Sequence, residues 1–552
     1  MPLTTQHGVL IAGGGSSGLV LALTLVKHGI PVRIIEKEAN HRVGQRGTGI
    51  MPRSLELHEF LDTLPDIEER ATLIPHFAFY GEDGKTVVKS TEMSPYVEPT
   101  PAIPHPNPLM LGQDAQEAIL RAHLKQHGCE VELSTELLSF TQADDGVIAT
   151  IAKRTGQSQV EETVKYSYLV GADGAHSRVR KMLGINFRGE TKTAESIVTG
   201  DIFVESGEEV LNRNDWHAWG EPSSKMMSLR PAGKGGKLFT LLAMGLDYDQ
   251  GDISHAYMSS SREAFIDEFY KVTGRRDIVF GDTVWLSTWR PNIRMVDQFS
   301  VGRVFLVGDA AHCHSPTGGQ GMNSSIQDSW NLAWKLALVT KGQAKPSLLD
   351  SYTQERLPVI AEMLRKTTQI LNTSFRGTSS QKSNAWRRDG ELHQLGINYR
   401  GSPIVMDDRI DEDVAKEAYH SGSGIHAGDR APDASGLVCL HNASRTRLFK
   451  LFSPTHHTLL LFSNGMDNDV TAALKPKKDL FETVLVLRDS LTQVANPDSF
   501  DSIIHDIDGH ASHAYGIQRG WATIVVIRPD AYIGAILHDT TGLQKYLETV
   551  FC

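Results

Sequence analysis

The chain is poor in cysteine. Its four cysteines in 552 residues, Cys129, Cys313, Cys439 and Cys552, show no CxxC and no Cys/His spacing suited to a metal. That excludes a disulfide framework, and no metal is expected. An excess of positive charge is also missing. The 55 Lys and Arg residues face 66 Asp and Glu, a formal net charge of −11, which argues against a nucleic-acid binder. No uninterrupted apolar run reaches the roughly 20 residues of a membrane span. No charged leader with a cleavage site precedes the first apolar run. The resulting expectation is a cytoplasmic protein without nucleic-acid or membrane partners. Internal repeats and low-complexity tracts are absent too.

What is present begins with length. A chain of 552 residues exceeds one hydrophobic core, so two or three domains are expected. The most informative stretch is VFLVGDAAHCHSPTGGQGMNSSIQDSWNLAWKL, residues 304–336. An apolar strand ends in Gly308-Asp309, a Gly/Pro-rich loop follows from Pro316 to Gly321, and a helix starts near Met322-Asn323. Strand, carboxylate, glycine loop and helix N-terminus offer backbone N–H groups to an extended polar cofactor.

A second glycine loop lies about 300 residues earlier. Val9 to Ala12 reads as a buried strand, and Gly13, Gly15 and Gly18 stand in a GxGxxG frame that includes Ser17. Leu19 to His28 continues as an apolar helix. Val32 to Ile35 is a second strand ending at Glu36, followed by Lys37. This is a βαβ dinucleotide fingerprint: the glycines permit a tight turn, approach to a pyrophosphate and close helix–strand packing. The acid after the second strand suits an unphosphorylated ribose, so FAD or NAD rather than NADP. Between the two loops lies GADGAHSRVRKMLG, 171–184. Asp173 can bond sugar hydroxyls, while Ser177, Arg178 and Arg180 either meet phosphate or merely cap a helix.

The coarse pattern gives three blocks. A helix is expected over Gln113–His127 and a strand into Tyr168–Gly174. Residues 186–300 are rich in β-type runs. The chain returns to the first block at Val304 and is helical from Ile326 to about Leu371, before a Ser-rich loop at 377–384. A compact α/β block with strands at Leu459–Phe462, Thr483–Leu487 and Ala522–Ile527, and a helix at Thr540–Val550, closes the sequence.

Together the motifs resemble those of the single-component FAD-dependent aromatic hydroxylases, or class A flavoprotein monooxygenases. The phenol hydroxylase-like and polyketide hydroxylases are nearest in look. GGGSSG, 13–18, is similar to the family's ADP-binding fingerprint. DGAHSRVR, 173–180, is similar to its DG motif, and GDAAH, 308–312, to its GD motif, whose Asp309 would bond the ribityl chain. Arg46, Arg53 and Gln113 match positions used around the flavin. Pro316, Gly319, Gly321, Met322 and Asn323 would border the ring. SYTQERLPV, 351–359, and QLGINYRGSPI, 394–404, extend the match.

The resemblance implies an α/β protein. A discontinuous GxGxxG Rossmann-like FAD-binding domain would span 1–185 and 301–375. A mixed β-sheet substrate domain would occupy 186–300. A thioredoxin-like C-terminal domain without CxxC, structural or dimerising, would occupy 425–552, with a homodimer left open. Bound FAD, transient NAD(P)H and O₂ would hydroxylate a phenolic or polyketide-like aromatic small molecule through a flavin C4a-hydroperoxide. Epoxidation, Baeyer–Villiger insertion and decarboxylative hydroxylation use the same chemistry and are not separable here. A non-catalytic FAD-binding module is the remaining alternative.

No catalytic residue is assigned. Phenol-specific relatives carry an acid just after the arginine of the 46 region, where this chain has Thr48. His312 and His314 read as structural.

Overall fold

The computed structural model describes residues 4–5, 8–191, 196–207, 209, 211–221, 224–245, 258–315, 317–376, 387, 390–409, 418–419, 424–462, 467–488, 496–518 and 523–552. Pro316, the Ser-rich stretch 377–384 and Ala522 lie outside the described residues.

A six-stranded sheet organises the first block, in the order Ser300–Val301, Val304–Leu306, Tyr168–Gly171, Val9–Ala12, Val32–Ile35, Val131–Glu132. Every pairing is parallel except that of Ser300–Val301. Val9, Leu10 and Ile11 are wholly buried, as expected for parallel strands covered on both faces, which read as unbroken apolar runs. Register sets the geometry: Ala12 stands opposite Gly171, and Gly171 opposite Leu306. The chain therefore leaves three neighbouring strands at one edge, in the three loops singled out by the sequence.

Helix Ser16–Lys27 follows the first loop and is buried from Gly18 through Leu25. It packs against helix Gly321–Thr340, which follows the third loop. The helical stretch expected over 326–371 is two helices. The chain turns at Gly342, with φ of 70°, and re-enters through Pro346–Leu349 to helix Asp350–Arg376. A four-stranded sheet, Thr4–Thr5, Ser158–Tyr166, Gly146–Thr155 and Thr135–Ala143, flanks this block.

The middle sheet has seven strands: Val279–Trp289, Ile197–Ser206, Leu238–Met244, Met226–Pro231, Asp215–Gly220, His76–Tyr80 and Val87–Thr91. The hairpin at 76–91 comes from the first block. It joins here because His76–Tyr80 pairs in parallel with Asp215–Gly220, so this sheet draws on residues outside 186–300. Period-two alternation splits the sheet into two faces. Met227, Leu229, Phe239 and Leu241 pack with Phe265 and Phe269 of helix Arg262–Thr273. Phe77, Ile197, Met226 and Met244 face the other way, toward Leu371 of helix Asp350–Arg376.

The C-terminal block is an eight-stranded mixed sheet in the order Met406–Asp407, Ile533–Leu537, Thr523–Ile527, His457–Phe462, Phe481–Leu487, Ser502–Asp506, Leu437–Cys439, Arg445–Thr446. Its first strand comes from a segment upstream of residue 425, since Met406–Asp407 pairs in parallel with Ile533–Leu537. Helix Thr540–Val550 falls where expected. Trp334 and Leu338 of helix Gly321–Thr340 belong to the same apolar cluster as Leu459 and Leu461 of this sheet. Among the described residues, no helix is long and apolar enough to cross a membrane.

Beside that cluster lies a buried charge network. Glu355 accepts from Lys335 Nζ at 2.7 Å and from Arg528 Nη1 at 2.7 Å, and Arg528 Nη2 reaches Asp530 at 2.5 Å; all four side chains are fully buried. Burial pushes the Glu355 carboxyl up, but Arg528 and Lys335 hold it below the usual carboxylate range. Burial lowers Lys335 to about 8, against the pull of Glu355. Removing Glu355 leaves two buried cations short of an anion. We expect Glu355→Ala to cost about 3–5 kcal/mol in chemical denaturation; a loss below about 1 kcal/mol would mean that the network contributes no more than a surface pair.

Buried histidines set a pH dependence. Burial holds His28 at about 3, His58 at about 4 and His217 at about 4, and His457 well below 6.5. Each is neutral when folded and takes a proton near pH 6.5 when unfolded. Their contribution is complete above about pH 6.5 and is lost as pH falls toward 4, by about 1.4 kcal/mol per pH unit for each. The melting temperature should fall steadily from pH 6.5 to 5, less so in His457→Phe, whose ring lies among Trp334, Phe481 and Phe551. A melting temperature flat across that window would contradict this account.

Candidate functional site

The three loops at the strand ends are in contact. Gly13 holds φ of 119°, and a Cβ there would lie 2.2 Å from Ala172 O, so the first loop abuts the segment entering Asp173-Gly174. A Cβ on Gly308 would lie 2.9 Å from Ser17 Oγ, which seats the third loop on the first. Ser329 Oγ donates to Ser17 O at 2.8 Å. Arg180 Nη1 donates to Ala310 O at 2.8 Å, joining the second loop to the third. Close backbone approach is the reason for glycine at 13 and 308.

At the first loop, Glu36 accepts from Gly14 N at 3.0 Å and from Glu38 N at 3.1 Å. Its carboxylate therefore stands beside the glycine turn. Lys37 stays on the surface beside Glu38. Gly15 precedes a helix that has no side-chain cap, and the first-turn N–H groups of such a helix suit an anion. Gly18 packs its Cα against Gly13 O, where a Cβ would approach to 2.1 Å.

Glu117 enters this cradle without a sequence signal strong enough to single it out. Its Oε1 accepts from Ser16 N at 3.1 Å, Ser16 Oγ at 2.9 Å and Gln113 Nε2 at 2.9 Å. The usable clue was its position four residues after Gln113 on helix Gln113–Gln126, which puts both on one helix face.

At the second loop, Asp173 Oδ2 accepts from Arg178 N at 2.7 Å and Val179 N at 3.2 Å, while its buried Oδ1 has no partner. Ser177 caps helix Arg178–Met182 by accepting from Arg180 N, and Arg180 also donates to Ala175 O. Of the two roles open to Ser177 and Arg180, the structure selects helix capping and inter-loop bonding. Asp173 keeps one buried side-chain acceptor, Oδ1, without a partner among the described residues.

At the third loop, Asp309 is exposed while Gly308 and Ala310 are buried. The loop is fixed from behind by Asp328, which accepts from Gly308 N at 3.1 Å, His312 Nε2 at 2.6 Å and Arg356 Nε at 2.8 Å. His312 is thus sealed in a structural bond, and His314 Nδ1 lies 2.6 Å from Ser315 O. Gly319, with φ of 66°, leads into helix Gly321–Thr340. Asn323 there donates from Nδ2 to Gly49 O and Gly319 O, and accepts from Met51 N at 2.9 Å. Gly321 abuts the His314 ring, and Met322 packs partly buried beside Gly47.

The loop carrying Arg46 is therefore tied down onto the helix start. Gly47 N points at Gln113 Oε1 at 3.4 Å, and Gln113 N donates to Gln45 O. Arg46 itself holds φ of 37°, strained for a non-glycine, with its guanidinium 4.8 Å from the Trp285 ring. Asp201 of the middle sheet accepts from Gln45 N at 2.7 Å and Trp285 Nε1 at 2.5 Å. Arg53 goes elsewhere. It is buried against Glu56 at 2.7 Å and the carbonyls of Asp530 and Ala531, so it binds the C-terminal block rather than the ring site.

The combined set fits an FAD molecule. The acceptors Glu36, the unpartnered Asp173 Oδ1 and the exposed Asp309 are of the type that sugar hydroxyls require, and the helices starting at Ser16 and Gly321, without side-chain caps, present N–H groups of the type that phosphate or an anionic ring edge requires.

Comparison with known proteins gives the same direction. The model of the FAD binding domain family matches residues 6–367, and that of the phenol hydroxylase C-terminal dimerisation domain matches 479–552. A flavin-dependent monooxygenase of Mycobacteroides abscessus is 34% identical over 98% of this chain and 99% of its own length. The 6-methylpretetramide 4-monooxygenase of Streptomyces rimosus is 32% identical over 96% of this chain and 90% of the relative. The pentachlorophenol 4-monooxygenase of Sphingobium chlorophenolicum is 29% identical over 98% and 95%. Among solved structures, aklavinone-11 hydroxylase with FAD and aklavinone superposes with a TM-score of 0.80 at 24% identity, covering 99% of both chains; at that identity it speaks for the fold. With a full-length relative at 34% identity and the FAD binding domain matched across the first 367 residues, the chain belongs to the FAD-dependent monooxygenases and is an oxidoreductase that binds FAD.

Proposed function

We propose that this enzyme uses NAD(P)H and O₂ to hydroxylate an aromatic substrate of phenolic or polyketide type. The observation that carries this reading is the meeting of the three cofactor loops with the Arg46 loop and, through Asp201, with the middle sheet. The printed names of the relatives, among them a pentachlorophenol and a 6-methylpretetramide monooxygenase, support the aromatic class. When bound, FAD supplies hydride acceptance and O₂ activation, so the protein's share is positioning, electrostatics and water exclusion.

Each residue then has a defined task. The turn at Gly13, Gly15, Ser17 and Gly18 brings backbone to the pyrophosphate, and Glu36 accepts from the adenosine ribose. Asp173 Oδ1 and Asp309 accept from the remaining sugar-like hydroxyls. The N–H groups from Gly319 to Asn323 stabilise negative charge at the ring edge. Asn323, bonded to Gly49, Met51 and Gly319, holds the Arg46 loop over that helix start. The fold is read as a Rossmann-like FAD domain, a β-sheet substrate domain and a thioredoxin-like C-terminal domain without CxxC. Matching of residues 479–552 to a dimerisation domain supports a homodimer.

The direct test is substrate-stimulated NAD(P)H oxidation by the FAD-loaded enzyme across a phenol and polyketide panel, with mass spectrometry after ¹⁸O₂ labelling. One labelled oxygen in the product is expected; stimulation by no member and no labelled product would refute the reading. Asp309→Ala should weaken FAD binding by about 1.5–3 kcal/mol, read as FAD retained after gel filtration. Full retention would remove Asp309 from its role. Glu36→Ala should lower FAD affinity while leaving the product profile unchanged.

A further inference from the structure

The first two turns of helix Gly321–Thr340 are buried yet polar. Asn323, Ser324 and Asp328 are fully buried, and Gln327 is 4% exposed. Apolar packing is non-directional, so the position of such a helix start depends on hydrogen bonds. Asn323 ties it to the Arg46 loop through Gly49 O and Met51 N. Asp328 ties it to the Asp309 loop through Gly308 N and His312. Ser324 and Gln327 are bonded to Gln394, from the segment 390–404, which belongs to none of the three cofactor loops.

Gln394 reaches them from a strained backbone. It is fully buried and holds φ of 63°, a left-handed conformation that residues other than glycine rarely adopt. Its Oε1 accepts from Gln327 Nε2 at 2.6 Å, and its Nε2 donates to Ser324 Oγ at 3.2 Å. Glycine at this place would relax the backbone and lose both bonds. Strain of this kind persists where the surrounding contacts over-determine it, and it gathers at functional sites.

The neighbouring contacts brace the same place. Gln320 donates from Nε2 to Gly318 O at 2.8 Å and to Leu392 O at 3.0 Å, so the glycine loop leans on the same segment. The segment is itself anchored. Tyr399 OH accepts from Arg356 Nη1 at 3.1 Å, and Ser402 Oγ donates to Glu355 Oε1 at 2.7 Å. Just beyond it, Met406–Asp407 is paired into the C-terminal sheet. A support rooted in the C-terminal block thus ends, at Gln394, on the helix start.

We propose that Gln394 is a positioning residue of the flavin site: through Ser324 and Gln327 it holds the start of helix Gly321–Thr340, so that the N–H groups of 319–323 keep the aim that stabilises the reduced, anionic ring. This rests on the placement of those N–H groups at the ring edge. The helix has no side-chain cap, so its first N–H groups remain for a ligand, and their direction is set by what holds the next turn. Donors that lose their aim stabilise reduced FAD less, while the neutral oxidised ring is little affected, and the reduction potential falls.

The test measures the two-electron midpoint potential of the FAD-loaded full-length protein against reference dyes, together with the affinity of the apoprotein for oxidised FAD and the melting temperature. Gln394→Gly relaxes its own backbone and should fold. It should weaken reduced FAD at least tenfold relative to oxidised FAD, lowering the potential by about 30 mV or more. Gln394→Asn, which tolerates the left-handed backbone and keeps a shorter amide, should shift it by less in the same direction. Leu547→Ala, in the apolar cluster under helix Thr540–Val550, should lower the melting temperature and leave the potential unchanged. An unchanged potential in Gln394→Gly overturns the proposal, as does an equal shift in Leu547→Ala, since loss of stability alone would then explain it. Should Gln394→Gly fail to fold, Gln394→Asn decides, and an unchanged potential there overturns the proposal. Asn323→Ala separates the two levels. A shift in Asn323→Ala without one in Gln394→Gly overturns the role of Gln394 and keeps the helix start at the ring; a shift in neither removes both.

Discussion

The shared register of three neighbouring parallel strands is the constraint on which the site depends. Ala12, Gly171 and Leu306 lie in one row across the sheet. Backbone hydrogen bonds fix that row, and strands separated by more than a hundred residues of sequence therefore end together. The loops that follow have no choice but to meet at one edge. This is the general property of open α/β sheets, whose ligand sites lie outside the carboxyl ends of the strands.

Meeting is not the same as being held. The loops are locked by buried side chains that approach from behind or from neighbouring elements. Asp328 fixes the Asp309 loop through Gly308 N, His312 and Arg356. Asn323 fixes the Arg46 loop onto the helix start, and Asp201 fixes it to the middle sheet. Glu117 joins helix Gln113–Gln126 to the first glycine turn. Each anchor is a polar group bonded to several donors or acceptors, so each loop is held at more than one point, which favours the preorganisation that a positioning-driven site uses.

Charge is distributed with the same logic. Where the C-terminal block docks, cations and anions are buried in matched sets around Glu355 and Glu56. These sets specify orientation, because a shifted block would strand a buried charge. Arg230 of strand Met226–Pro231, whose guanidinium donates to Thr240 Oγ1, lies on the face that adjoins the cofactor loops.

The sequence by itself determined the local signals. GxGxxG between an apolar strand and an apolar helix, Glu36 after the next strand, and the strand–GD–glycine loop at 304–321 depend on neighbours within a few residues, and so they were legible. Local reading also sufficed for most strand and helix positions of the last block. It failed where the partner is distant in the chain. Arg53 looked like a ring-site residue until its guanidinium was seen on the carbonyls of Asp530 and Ala531. Ser177 and Arg180 allowed two roles until Arg180 was placed on Ala310 O. The hairpin at 76–91 gave no sign that it pairs with Asp215–Gly220, and Asp201, Asp328 and Arg230 carry no motif. Their meaning lies in burial and in contacts across long sequence separations, which composition and spacing do not encode; the sequence determined the cofactor loops, and only tertiary packing decided which charges are matched.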